Sequence, residues 1–245
     1  NIEDGEVTFE NAWGVCDEDI FKRELKEADI SSAEGKPFFS FVMTTSNHKP
    51  YTYPEGKIDI PSGTGRNGAV KYTDYAIGKF LRNARNKPWY KNTVFIIMAD
   101  HCASSAGKWE LDVANYRIPA ILVNFDGLEQ QKINIQCSQI DVMPTVFSLM
   151  GWEYKNNFFG RNVFALDSSE QRAFIGNYRK LGLLKSKALM VLGDGKTANQ
   201  YQWDPEENSL KKSPMDTLFL NEAISYYQVA DFLYNHGGLN SNLGL

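Results

Sequence analysis

Histidine and cysteine are both scarce in this chain, with three of each in 245 residues. Cys16, Cys102 and Cys137 are odd in number and far apart, which fits neither a disulfide framework nor a zinc-knuckle spacing. They are expected to be free thiols, with Cys102 packing rather than ligating. No apolar run approaches the roughly 20 residues that a membrane-spanning helix needs, and the first residues lack a signal-peptide pattern. The stretch is therefore expected to be soluble as it stands, whether whole or cut from something larger. Charge of one sign is not in excess either. Lys and Arg number 26 against 30 Asp and Glu, for a formal net charge of −4, so nothing electrostatic points to nucleic acid as a partner. Internal repeats and low-complexity segments are absent. What remains is ordinary globular composition, 42% hydrophobic and 23% charged, enough for the core of one α/β domain or most of one.

Against that background the stretch Thr93 to Lys108 stands out. Val94 to Ala99 is apolar without alternation, the pattern of a strand buried on both faces. Asp100 and His101 follow directly, then small residues, Gly107 and Lys108. A carboxylate and an imidazole at the carboxyl end of a buried strand suit a divalent metal, because ligands of open α/β sheets gather there. A lone Asp-His pair is explained more readily by a capped turn, with Asp100 as the cap and His101 as a hydrogen-bonding neighbour.

Residues 37–45 form a second apolar run, which leads into the turn Ser46-Asn47-His48-Lys49-Pro50-Tyr51. His48 thus stands just past a predicted strand, as His101 does, and two of three histidines share that placement. Asp17-Glu18-Asp19 opens a predicted helix over 17–28, where the acidic triplet suits the helix dipole better than a metal. Ala69, Tyr72, Thr73, Ala76, Ile77, Phe80, Leu81 and Ala84 recur at helical spacing and predict a helix over 67–86. With its flanking strands it makes a strand-helix-strand crossover. A third buried strand is predicted over 116–124, with Pro119 near its start. A capped helix is predicted over 138–151, with Asp141 as N-cap in preference to an active-site acid. Beyond about residue 170 the pattern changes. Segments 172–178, 189–192, 200–203 and 209–211 predict a small antiparallel sheet, and 214–236 a last helix with Leu218, Ala223, Tyr226, Ala230 and Leu233 inward.

Five segments together resemble a known family. Thr45-Ser-Asn-His48-Lys-Pro-Tyr51, Tyr72-Thr-Asp-Tyr-Ala-Ile-Gly, Tyr90-Lys-Asn-Thr-Val, Ala99-Asp100-His101 and Gln139-Ile-Asp-Val-Met-Pro-Thr145 resemble, in order and separation, the lipoteichoic acid synthase-like phosphoglycerol transferases. These belong to the sulfatase and alkaline-phosphatase-like superfamily. The resemblance implies an α/β fold, a mostly parallel sheet between helices, with a small C-terminal antiparallel sheet and a terminal helix. It implies that 1–245 is the C-terminal part of one catalytic domain, 1–165 in the parallel core and 166–245 in the antiparallel subdomain, with the N-terminal half absent. It implies one divalent metal ion (Mn, Mg or Zn) held by Asp100 and His101. His48 would be the catalytic, substrate-binding histidine, and Lys108 a further charge toward phosphate, although a solvated lysine after a Gly turn explains Lys108 equally well.

The family's nucleophilic threonine and its glutamate ligand have no counterpart here, and Thr44 and Thr45 match strand residues rather than the nucleophile. The implied reaction takes a phosphoglycerol group from a phospholipid head group to an acceptor hydroxyl such as that of an envelope glycan. The implied setting is the outer face of the cytoplasmic membrane or the periplasm. The alternatives are a sulfatase or phosphoethanolamine transferase of the same superfamily, or a non-catalytic glycan-binding module.

Overall fold

The computed structural model describes residues 4–103, 107–125 and 129–239. The chain forms two compact units, Asn1–Phe95 and Ile96–Leu245.

In the first unit, a two-stranded antiparallel hairpin, β1 (Glu10–Asn11) and β2 (Gly14–Val15), leads into helix α1 (Asp17–Ala33). The acidic residues of its first turn do more than answer the helix dipole. Asp19 is buried and accepts the backbone N–H of Thr8 (2.6 Å) and Phe9 (3.3 Å), which folds the incoming chain onto the helix. Helix α2 (Arg66–Ala84) buries Ala69, Tyr72, Ala76 and Ala84, the face predicted from spacing. Tyr53 stacks on Tyr72 with centroids 4.9 Å apart, and Phe21 on Phe80 at the same distance, so aromatic pairs lock α1 and the 51–53 segment to α2. Each such pair adds about 0.5–1.5 kcal/mol beyond its buried area.

The run 37–45, predicted as a strand buried on both faces, joins no ladder among the described residues. Phe38, Val42 and Thr44 are half-buried, whereas Phe39 is 78% and Phe41 77% exposed. One face of the segment is therefore closed and the other open. The apolar pattern specifies two covered faces, and the described residues cover only one.

The second unit begins within β3 (Phe95–Met98), which pairs with β4 (Ala120–Val123). Beyond helix α3 (Val142–Leu149), five antiparallel strands follow in sequence order: β5 (Ala173–Gly176), β6 (Leu181–Lys185), β7 (Ala188–Gly193), β8 (Thr197–Asp204) and β9 (Ser209–Lys212). Helix α4 (Thr217–Asn235) is the last helix or strand among the described residues. The sheet is apolar on both faces. Leu183 and Met190 meet Phe219 and Ala223 of α4, while Leu184, Leu189 and Val191 pack with Leu111, Val113, Ile175 and Leu210. That division follows the two-residue alternation of a strand.

The expected C-terminal antiparallel sheet and terminal helix are present. The expected mostly parallel core sheet is not confirmed: the described residues of that part form the two-stranded pair β3 and β4, and β3 is half-buried to exposed. Leu218, predicted inward, is 80% exposed, because α4 faces the sheet through Phe219 instead.

Gly160 is buried against the turn before α3, where an added Cβ would overlap the carbonyl oxygen of Ile140. Backbone cannot swing aside as a side chain can. Gly160→Ala is expected to cost at least the roughly 1–3 kcal/mol of ordinary overpacking. A urea midpoint equal to that of the unsubstituted protein would show that the turn gives way freely.

Candidate functional site

At the end of β3 the ladder closes with Ala99 N–H donating to the Pro119 carbonyl (3.2 Å), and the chain then turns. Asp100 Oδ1 accepts the His101 backbone N–H at 2.8 Å, so Asp100 does cap its own turn. His101 Nδ1 lies 2.7 Å from the Cys102 carbonyl oxygen, which can only accept, so Nδ1 carries hydrogen. Nε2 faces Asp100 Oδ2 at 3.5 Å, and both side chains are exposed. In the neutral imidazole a nitrogen lone pair and a carboxylate oxygen then converge across a short gap. An imidazole oriented by a carbonyl on its far nitrogen is the usual form of a metal-ligating histidine.

The donor set suits Mn, Mg or Zn in part. It supplies one oxygen and one nitrogen, where a tight site takes about four ligands or more. Among the described residues no group of three or more His, Cys, Asp or Glu is placed to hold a metal. Cys102 is half-buried and Cys137 exposed, and neither forms a disulfide among the described residues. Lys108 is exposed, and its backbone N–H donates to Asp112 Oδ2 at 3.2 Å. Ser104 and Ser105, between His101 and Lys108, lie outside the described residues.

Sequence patterning left two contributors unnoticed. Gln139 Nε2 donates to the carbonyl oxygens of Ala99 (3.1 Å) and Asp100 (3.0 Å). Arg172 is buried and pairs bidentately with buried Asp141 at 2.9 and 3.0 Å. Asp141 does stand at the N-cap position of α3, but its carboxylate makes no cap bond to that helix. It accepts instead from Ser138 N–H (2.8 Å), Arg161 N–H (2.8 Å) and the Arg172 guanidinium. The motif around Gln139 was visible in the sequence, but Arg172 sits in a predicted strand with no local signal of its partner.

In the first unit, His48 is half-buried at a turn in which its N–H donates to the Thr45 carbonyl (3.2 Å) and its carbonyl accepts from Tyr51 (2.7 Å). Trp13 stacks on its ring at 3.9 Å, with 24° between planes. The Trp13-His48 platform was also not anticipated, since no motif or periodicity in the sequence joins Trp13 to His48. Asn47 Oδ1, next to it, is buried and has no hydrogen-bond partner among the described residues. Thr45 Oγ donates to the Val15 carbonyl (2.6 Å), so this hydroxyl has a structural use.

The anchor of the His48 turn is Asp17, fully buried at the start of α1. It accepts from Thr45 N–H (2.9 Å), Ser46 N–H (3.0 Å) and Thr73 Oγ (2.7 Å). Asp17→Ala strands these donors, at about 1–3 kcal/mol for a buried unsatisfied group. The expected result is faster hydrogen exchange at the amides of Thr45 and Ser46. Exchange as slow as before would mean that the turn does not depend on Asp17.

The family described as Sulfatase matches residues 1–152. Lipoteichoic acid synthase 2 of Bacillus subtilis is 23% identical over 250 residues, covering 90% of this chain and 37% of that protein. Phosphoglycerol transferase I of Salmonella arizonae is 22% identical over 211 residues, 83% of this chain and 27% of that protein. Among solved structures, a protein of the alkaline phosphatase superfamily from Vibrio parahaemolyticus superposes with a TM-score of 0.90 at 33% identity, covering 96% of this chain and 58% of that one. Lipoteichoic acid synthase LtaP from Listeria monocytogenes does so with a TM-score of 0.65 at 19% identity, over 87% of this chain and 59% of that one. The chain thus spans between about a quarter and two fifths of these curated relatives, and just under three fifths of the solved chains.

Proposed function

The chain belongs to the sulfatase family, and we propose that it is the C-terminal part of a metal-dependent phosphoglycerol transferase-like enzyme acting on phosphodiester head groups. Residues 1–165 would belong to the core of that catalytic domain and 166–245 to its antiparallel subdomain. The observation that carries the reading is the corner after β3, where Nδ1 of His101 is held by a carbonyl and Nε2 faces Asp100 Oδ2. The relatives named for phosphoglycerol transfer and lipoteichoic acid synthesis support this reaction within the superfamily.

Asp100 and His101 would hold one divalent ion, which supplies neutralisation of phosphoryl oxygens and a lowered pKa for a coordinated hydroxyl. His48 would donate to a phosphate oxygen, or protonate the departing alkoxide. Lys108 would add positive charge toward the same phosphate. Most phosphoryl-transfer catalysis is positioning plus electrostatics of this kind. These roles of His48, Asp100, His101 and Lys108 belong to this proposal. So does completion of the site by further donors and a threonine nucleophile from the part of the full-length protein preceding Asn1. The limited share of each relative that the chain spans supports it, as does the two-donor corner. The proposed setting is the outer face of the cytoplasmic membrane, where a phospholipid donor meets an envelope acceptor.

The test is the full-length protein with Mn and vesicles of a phospholipid bearing phosphoglycerol head groups. Release of diacylglycerol, with the phosphoglycerol group recovered on an acceptor alcohol, is the expected result. Hydrolysis of an aryl sulfate ester with no diacylglycerol released would move the assignment to the sulfatases.

A further inference from the structure

We propose that Gln139 is a positioning residue that sets the direction in which Asp100 and His101 leave β3. The proposal rests on the reading of these two residues as metal donors. The corner's own bonds are local: Asp100 Oδ1 to the next backbone N–H, and His101 Nδ1 to the next carbonyl. Bonds between neighbours shape a turn but cannot orient it relative to the rest of the unit. Gln139 supplies long-range bonds to the same corner. Its Nε2 donates to two consecutive carbonyls, those of Ala99 and Asp100, across 40 and 39 residues of sequence. Two consecutive carbonyls aimed at one amide fix the peptide planes on both sides of Asp100, and with them the exit vectors of both side chains.

Gln139 itself is held from behind. It opens a short turn, Gln139–Asp141, that continues into α3. The preceding Ser138 is tied twice, by its N–H to Asp141 Oδ2 (2.8 Å) and by its Oγ, which accepts from Phe174 N–H on β5 (2.7 Å). Asp141 in turn is clamped by buried Arg172, whose guanidinium also donates to the Phe159 carbonyl at 3.2 Å. Hydrogen bonds on either side of the Ser138–Gln139 peptide bond therefore link the five-stranded sheet to the carbonyls beside the donors. Gln139 is exposed, so water could satisfy its amide without this arrangement. An exposed side chain that bridges the backbone of a donor pair fits positioning better than core stability. Groups that orient ligands typically change metal affinity 10- to 100-fold when removed.

The experiment measures Mn binding to the full-length protein by calorimetry, with the urea midpoint of the metal-free protein recorded alongside. Gln139→Glu keeps the shape but replaces the donors with an oxygen that repels both carbonyls. It is expected to raise the Mn dissociation constant about 10- to 100-fold while leaving the midpoint unchanged. Should Gln139→Glu lower the midpoint, Gln139→Ala becomes the deciding variant, with the same rise in dissociation constant expected. Asp100→Ala is measured in parallel to separate the two levels of inference. If Asp100→Ala weakens Mn binding and neither Gln139 variant does, positioning by Gln139 is overturned and the metal assignment stands. If Asp100→Ala itself leaves binding unchanged, both fall together.

Discussion

Asp141→Ala is expected to destabilise the second unit by about 3–5 kcal/mol, the cost of breaking a buried ion pair by removing one partner. The Arg172 side chain is 1% exposed and that of Asp141 is fully buried, so the substitution leaves a guanidinium charge without water or counter-ion. The carboxylate also accepts the Ser138 and Arg161 amides, and alanine strands both. Against a domain stability of about 5–15 kcal/mol, that loss removes a large share of the total. The urea midpoint of the full-length protein is the measure, and a shift equivalent to less than about 1 kcal/mol would contradict the burial of an uncompensated charge. Asp141→Leu combined with Arg172→Met should recover most of the loss, because an apolar pair of similar volume often replaces a buried ion pair at little cost. The double variant should still bind Mn less tightly than the unsubstituted protein, since Gln139 would then lack its support.

That pair also shows where sequence patterning stops. Helical periodicity found α2 to within a residue or two, because one face of it packs against tyrosines and the other meets solvent. It found α1 from its acidic first turn, although the helix runs on to Ala33. The hairpin strands β7, β8 and β9 followed from their turns, but β6 did not. Gly182 interrupts it, and the tight turn after it, with Ser186 at φ 53°, carries no Gly or Asn signal. The run 37–45 misled in another way. Its composition describes a strand with two covered faces, and the described residues supply a cover for one.

Asp100, His101 and His48 stand out in the sequence because polar groups directly follow apolar runs, and their functional roles belong to the proposal. Gln139 and Arg172 do not stand out, because their partners lie 39 and 31 residues away and only tertiary structure joins them. Asp141 was placed correctly at the start of α3, yet its carboxylate turns away from that helix toward Arg172 and Arg161.

Asp100→Ala in the full-length protein is expected to lower phosphodiester turnover by about a thousandfold or more. Loss of a metal's stabilisation of developing charge is worth several kcal/mol, and each 1.36 kcal/mol is about tenfold in rate. The exposed position of Asp100 makes a folding defect the weaker explanation, because among the described residues its carboxylate meets the His101 amide and ring, and neither is buried. The urea midpoint should therefore hold while turnover collapses. His236, exposed and stacked on Phe232 at the end of α4, provides the control: His236→Ala should leave turnover unchanged. Residual turnover of Asp100→Ala within about threefold of the unsubstituted protein would remove Asp100 from the reaction.

The most direct measurement is calorimetric titration of Mn into the metal-free full-length protein and into its Asp100→Ala, His101→Ala double variant. The proposed site predicts one ion bound per chain in the first and no saturable binding in the second. One ion bound with undiminished affinity by the double variant would contradict the corner after β3 as the metal site.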